Sequence, residues 1–242
     1  MPRHDGRASH QSRPLRFERG FTKSAPGSVL ACYGETQVLC TAMATDGVPP
    51  FLQGRGKGWL TAEYSMLPSA SGDRKQRDRN GKVDGRSTEI QRLIGRSLRA
   101  VVDTAKMTER TIWIDCDVLQ ADGGTRTAAI SGAYVALVDL LKHMERQRVL
   151  RAWPLVAQIA AVSVGIVNGE PVVDLDYVED SKAEVDMNLV MLGDGRYVEI
   201  QGCAEARAFD RAQLDRMLAL GEGALREIMG AQREALEAAV AG

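Results

Sequence analysis

Apolar and polar residues alternate along this chain on two different periods, and the period predicts the element. Residues 28–43 (SVLACYGETQVLCTAM) read as two short strands around a Gly34-Glu35 turn. Residues 50–58 and 68–86 are polar and rich in glycine and arginine, which predicts loops. From Ser87 the period lengthens: Ile90, Leu93, Ile94, Leu98 and Val101 recur at helical spacing, and Thr88-Glu89-Ile90-Gln91 has the form of a capping box. Residues 111–118 alternate strictly, with Ile112, Ile114, Cys116 and Val118 on one face and Asp115 and Asp117 on the other, as a half-buried strand requires. A second helix is expected from about Thr125 to about His143. It is apolar nearly all round (Ala128, Ile130, Ala133, Val135, Leu137, Leu140), which predicts a central, buried position.

Pro154 breaks the pattern and marks the expected boundary between two halves of one domain, about 1–153 and 154–242. Beyond it, VAQIAAVSVGIV and PVVDLDYV form a predicted hairpin through Asn168-Gly169, and a second hairpin is expected around Gly193-Asp194-Gly195. One or two amphipathic helices should fill the stretch from about Asp210 to Val240. Strands followed by a helix, twice over, indicate an α+β layered domain in two halves. The missing βαβ alternation argues against a dinucleotide-binding fold.

Composition narrows the class. With 44% hydrophobic residues in 242, the chain can bury a sizeable core, yet no apolar run approaches the ~20 residues that span a bilayer. The N-terminal stretch MPRHDGRASHQSRP lacks the apolar centre of a signal peptide, so a cytoplasmic protein without membrane association is expected. The four cysteines show no C-x-x-C pair, and Cys32, Cys40 and Cys116 sit in strand-like runs that predict buried free thiols. The net charge of −1 gives no global attraction for nucleic acid, but its distribution is uneven. Basic residues concentrate before residue 110, whereas the stretch from Glu170 to Asp186 is acidic.

Four places hold candidate chemistry. Gly123-Gly124-Thr125-Arg126-Thr127 lies between a predicted strand and a helix. It reads either as an anion-binding turn, with helix N–H groups, two hydroxyls and a guanidinium, or as a tight turn with an exposed arginine. Asp84-Gly85-Arg86 repeats the arrangement just before the helix expected at Ser87. Arg92, Arg96 and Arg99 share one face of that helix; for Arg92 and Arg99 a solvated surface is expected. The loop bearing Arg74, Lys75, Arg77 and Arg79 is diluted by Asp73 and Asp78, and reads as a solvated loop or an RNA contact. Asp180 and Asp186 are a carboxylate pair of the kind that holds magnesium beside substrate phosphates, or a polar connection between strands. His4, His10 and His143 present no catalytic base, and no Walker or dinucleotide fingerprint is found.

Taken together these stretches resemble the ribonuclease PH family. The matching strings are Arg3-x-Asp5-Gly6-Arg7 with Arg13-Pro14, GWLTAEYSMLP (58–68), GRSTEIQRLIG (85–95), IDCDVLQADGGTRT (114–127), YVEDS (177–181), VDMN (185–188) and EIQGCAE (199–205), spanning nearly the whole chain. The resemblance implies a ribosomal-protein-S5-domain-2-like α+β fold and a phosphorolytic 3′→5′ exoribonuclease acting on transfer RNA precursors and other RNA 3′ ends. By the same resemblance Arg86, Gly124, Thr125 and Arg126 bind inorganic phosphate as co-substrate. Asp180 and Asp186 are the catalytic carboxylates and hold Mg2+ or another divalent cation, while Arg74 and Arg77 contact RNA. A homohexamer built as a trimer of dimers is also implied. One position departs from the family pattern: Ser69 stands where an arginine is usual. The rival implied by the same fold is a non-catalytic or partner-dependent subunit of an exosome-like ring. The intact arginine and aspartate sets speak against it.

Overall fold

The computed structural model describes residues 3–77 and 84–239. Its first half runs β1 (Leu15–Arg19), β2 (Gly27–Tyr33), β3 (Thr36–Asp46), β4 (Trp59–Met66), α1 (Gly85–Arg99), β5 (Arg110–Gln120) and α2 (Thr125–Arg146). The second half runs β6 (Ile159–Val167), β7 (Glu170–Val173), α3 (Tyr177–Asp180), β8 (Val185–Leu192), β9 (Tyr197–Ala204) and α4 (Arg211–Glu237). The first sheet has the order β1-β2-β3-β5-β4, and the second β7-β6-β8-β9. Among the described residues only β4 and β5, joined through α1, run parallel.

Alternation places β5 as expected: Ile112, Ile114, Cys116 and Val118 are buried to 1% exposure or less, while Trp113 and Asp117 face outward. The expected hairpins are also present, β2–β3 through Gly34-Glu35, β6–β7 through Asn168-Gly169, and β8–β9. Gly34 takes φ +56°, and a Cβ there would sit 2.7 Å from the Arg13 side chain, so the turn packs directly on the N-terminal arm.

The all-round apolar helix is central. α2 contacts β2, β3 and β5 on one side and β6 and β8 on the other, and every apolar position predicted along it is buried. Close approach requires small residues: a Cβ on Gly27 would lie 2.0 Å from the Ala136 carbonyl oxygen of α2. Ser131 ties the helix to the second sheet by accepting from the Ala161 N–H at 3.0 Å. Gln232 of α4, fully buried, donates to the Ser131 and Ile159 carbonyls at 3.0 Å each. One hydrophobic cluster therefore runs through both halves.

Three expectations are corrected. α1 begins at Gly85, not at Ser87, because the Asp84 carboxylate accepts from the Ser87 N–H at 2.7 Å; an aspartate at this position is a strong cap, and Thr88 merely donates its hydroxyl to the Asp84 carbonyl. Arg99 is not a solvated charge: its guanidinium lies 4.8 Å over the Trp59 ring and donates to the Leu60 carbonyl. The strand expected across PVVDLDYV stops at Val173, because Asp174 turns into a left-handed conformation (φ +51°) and the chain then forms the one-turn helix α3. The C-terminal stretch is a single helix, capped by Asp210 and Gln213; Val240 lies outside the described residues.

Candidate active site

Between the halves lies a cavity of about 720 Å³. Arg86, Gly124, Thr125 and Arg126 line it from the first half, and Asp180 and Asp186 from the second. Six residues singled out in the sequence thus meet in one place, although Arg86 and Asp186 are far apart along the chain.

The anion-attracting wall follows from local rules. β5 ends at Gln120, and the chain reverses through Gly123 and Gly124 at φ +71° and +63°, a conformation that glycine adopts without strain. Gly124 is the N-cap of α2 and brings no side chain over the first-turn N–H groups, which carry the positive end of a 22-residue helix. Thr127 donates its hydroxyl back to the Gly124 carbonyl at 2.8 Å, and Thr125 shares a 2.8 Å hydrogen bond with the buried Tyr64 hydroxyl. Arg126 is held by Glu89 of α1 at 3.3 Å and by the Gln201 side-chain oxygen of β9 at 3.4 Å. Gln201 itself donates to Glu89 at 3.1 Å. Arg86, in the first turn of α1, brings a second helix start to the same cavity.

Facing this wall are the carboxylates. Asp180 closes α3, and Asp186 stands in β8 between Gly165 of β6 and Cys203 of β9. Burial pushes the Asp186 carboxyl up to about 6, and the negative charge of Asp180 adds to the effect, against the opposing pull of Arg126 and Arg86. Asp180 is raised by burial as well, against the pull of Arg86 and Arg126. An oxyanion can lie between the helix starts and guanidiniums, while the two carboxylates offer hard oxygen donors to a cation beside it.

The flank of α3 carries a network that the sequence reading did not identify. Arg3, Arg7 and Arg13 of the N-terminal arm are buried, and they pair with Glu179, Asp176 and Asp174. Asp176 caps α3 with Glu179 in a reciprocal capping box. The hints in the sequence were the strings Arg3-x-Asp5-Gly6-Arg7 with Arg13-Pro14 and YVEDS (177–181). Among the described residues His4, Asp176 and Glu179 also bring potential ligand atoms within 4.8 Å of one another. Arg3 and Arg7 already engage those carboxylates, so this cluster is an ion-pair network.

The loop arginines stand apart from the cavity. Arg74 and Arg77 are exposed beyond its rim at Ser71, Gly72 and Asp73, Ser69 is exposed nearby, and Arg79 lies outside the described residues. Cys32, Cys40 and Cys116 are buried free thiols as expected, and Cys203 is exposed. Among the described residues no helix is long and apolar enough to cross a membrane.

Comparison with known proteins bears on the whole chain. The two domain models of the 3′ exoribonuclease family match residues 11–142 (domain 1) and 157–224 (domain 2). A ribonuclease PH from Syntrophomonas wolfei is 53% identical over 237 residues, covering 98% of this chain and 99% of that protein. Among solved structures, rice Rrp46 superposes with a TM-score of 0.78 at 19% identity, over 97% of this chain and 100% of that one. The Archaeoglobus fulgidus exosome with RNA bound to the active site gives 0.77 at 22% identity, over 94% and 91%. These structural likenesses fix the α+β ribonuclease PH fold, and the sequence matches fix the family: the chain belongs to the 3′ exoribonuclease family of ribonuclease PH.

Proposed function

We propose that the chain is a phosphate-dependent 3′→5′ exoribonuclease that trims the 3′ ends of transfer RNA precursors and releases nucleoside diphosphates. The observation that carries this reading is the cavity in which two helix starts, each with an arginine in its first turn, face a pair of aspartates. Inorganic phosphate is held by Arg86, Arg126, Thr125 and the N–H groups beyond Gly124. One of its oxygens attacks the phosphorus of the last phosphodiester. The bond from that phosphorus to the 3′ oxygen of the preceding nucleotide breaks, the oxygen takes a proton, and the last nucleotide leaves as its diphosphate. No covalent intermediate with the protein is needed. The difficulty is electrostatic, because an anion must approach a phosphodiester, and preorganised positive charge is usually the largest catalytic contribution.

Asp180 and Asp186 are a donor set that fits Mg2+, which takes one or two carboxylates together with substrate phosphate oxygens. When bound, the cation supplies charge that offsets repulsion between the two phosphoryl groups. Arg74 and Arg77 are assigned to the RNA backbone beyond the cavity rim. The working assembly is a homohexameric ring, a trimer of dimers, in the cytoplasm.

The two arginines test the reading. Arg86→Ala and Arg126→Ala should each lower turnover on phosphate by roughly 10²–10³-fold, the scale of one lost oxyanion donor, while RNA binding stays close to the wild type. Near-wild-type phosphorolysis at saturating phosphate in both variants would contradict the assignment.

A further inference from the structure

The cavity walls come from opposite halves of the chain, so something must fix their separation. Arg13 spans the seam beside the glycine turn. Arg13 donates from Nη2 to the Asp174 carboxylate at 2.7 Å and from Nε at 3.0 Å, and its backbone N–H reaches the same carboxylate at 2.7 Å. Its other terminal nitrogen donates to the Asp122 carbonyl. Asp122 immediately precedes the Gly123-Gly124 turn, and Asp174 begins the segment that ends at Asp180. The seam is tight on both sides of Arg13. A Cβ on Gly123 would lie 2.4 Å from the Leu175 carbonyl oxygen, and one on Gly124 would lie 3.2 Å from Arg13 itself. The Tyr177 N–H closes the seam by donating to the Asp122 carboxylate at 3.2 Å.

We infer that Arg13 is a positioning residue that sets the distance between the phosphate-binding turn and the aspartate pair by clasping Asp122 to Asp174. This rests on the reading of those two walls as phosphate and cation sites. The Arg13–Asp174 pair leaves only 5% and 1% of its side chains exposed. A pair so deeply buried adds little net stability, because desolvation offsets the attraction. Its two-pronged contact instead fixes geometry, which a lysine cannot reproduce. A displacement of about 1 Å between reacting groups can lower turnover about 10²-fold.

The fold provides its own control. Arg19 makes the same kind of contact to Asp139, at 2.8 and 2.5 Å, with its side chain 10% exposed, and it also donates to the Ala235 carbonyl, away from the cavity. The experiment compares Arg13→Lys with Arg19→Lys in the full chain, measuring Tm, kcat and the KM values for phosphate and RNA. Both substitutions should lower Tm. Only Arg13→Lys should lower kcat, by about tenfold or more, and raise the KM for phosphate, with the KM for RNA changed less than about twofold. Wild-type kcat and phosphate KM in folded Arg13→Lys overturn the inference, as does an equal loss of kcat in Arg19→Lys. If Arg13→Lys does not fold, the isosteric Asp174→Asn reads the same contact by the same criteria. Full activity in Arg126→Ala would instead overturn the underlying site reading, so the two failures are distinct.

Discussion

Asp186 concentrates the conflict between stability and its proposed function in one side chain. Burial and the neighbouring Asp180 push its carboxyl from 3.8 up to about 6. The native state therefore binds more protons than the unfolded chain between about pH 4 and 6, and stability falls as the pH rises through that window. Above it Asp186 is ionised at a net cost to the fold. Asp186→Asn removes that cost, so in metal-free buffer at pH 7.5 the variant should be more stable by roughly 1–3 kcal/mol. The gain should vanish below about pH 4, where both states carry a neutral carboxyl. The same substitution should abolish metal-dependent activity, with Asp180→Asn milder or equal. Thermal unfolding across pH, alongside a magnesium titration of activity, checks both halves. A variant that is less stable at pH 7.5, or fully active with unchanged magnesium dependence, contradicts them. The pairing itself was open in the sequence, where two aspartates on either side of a short connection look like any polar link. What makes them a candidate site is the placement of Arg86 and Arg126 in the same cavity.

At the scale of elements, the start of α1 links folding to the proposed phosphate site. The Asp84 carboxylate pairs with Lys75 of the basic loop and caps the helix through the Ser87 N–H and hydroxyl; the Lys75 contact, then the cap, hold its pKa down to about 2. Asp84→Ala should lower stability by about 1 kcal/mol, fray the first turn and thereby raise the KM for phosphate through Arg86. Asp84→Ser keeps a cap acceptor and should restore the KM while still lacking the Lys75 partner. Equal phosphate KM in both variants and the wild type would show that the first turn of α1 does not order Arg86. Legibility varied for physical reasons at this scale. The strict alternation of β5 and the apolar circumference of α2 were readable because burial on one face or on all faces leaves a periodic trace. β1 left little, since only Phe17 of its five residues is buried, Leu15 is partly so, and the other three are charged. α3 is four residues long and too short for any period. The cap of α1 was misplaced because Asp84 and Thr88 offer overlapping caps, which only the backbone geometry separates.

For the whole molecule, the decisive fact is that the cavity is built across the two halves. Each wall left a local trace in the sequence, but the Arg13–Asp174 contact joins residues 161 positions apart and left none beyond a matching string. In the proposed function, RNA beyond the cavity meets the loop that bears Ser69, Arg74 and Arg77. Ser69 is exposed, and an arginine there would add one cation facing solvent. Ser69→Arg should steepen the salt dependence of transfer RNA binding by about one unit and tighten binding about fivefold, without changing turnover of short, saturating RNA. An unchanged affinity and slope would remove this loop from the RNA path. In the proposed reaction phosphate, and not water, cleaves the RNA. An RNA with a 3′ extension, incubated with the protein and magnesium with and without inorganic phosphate, tests it most directly. Trimming that requires phosphate and releases nucleoside diphosphates is the predicted result; nucleoside monophosphates released in phosphate-free buffer would contradict it.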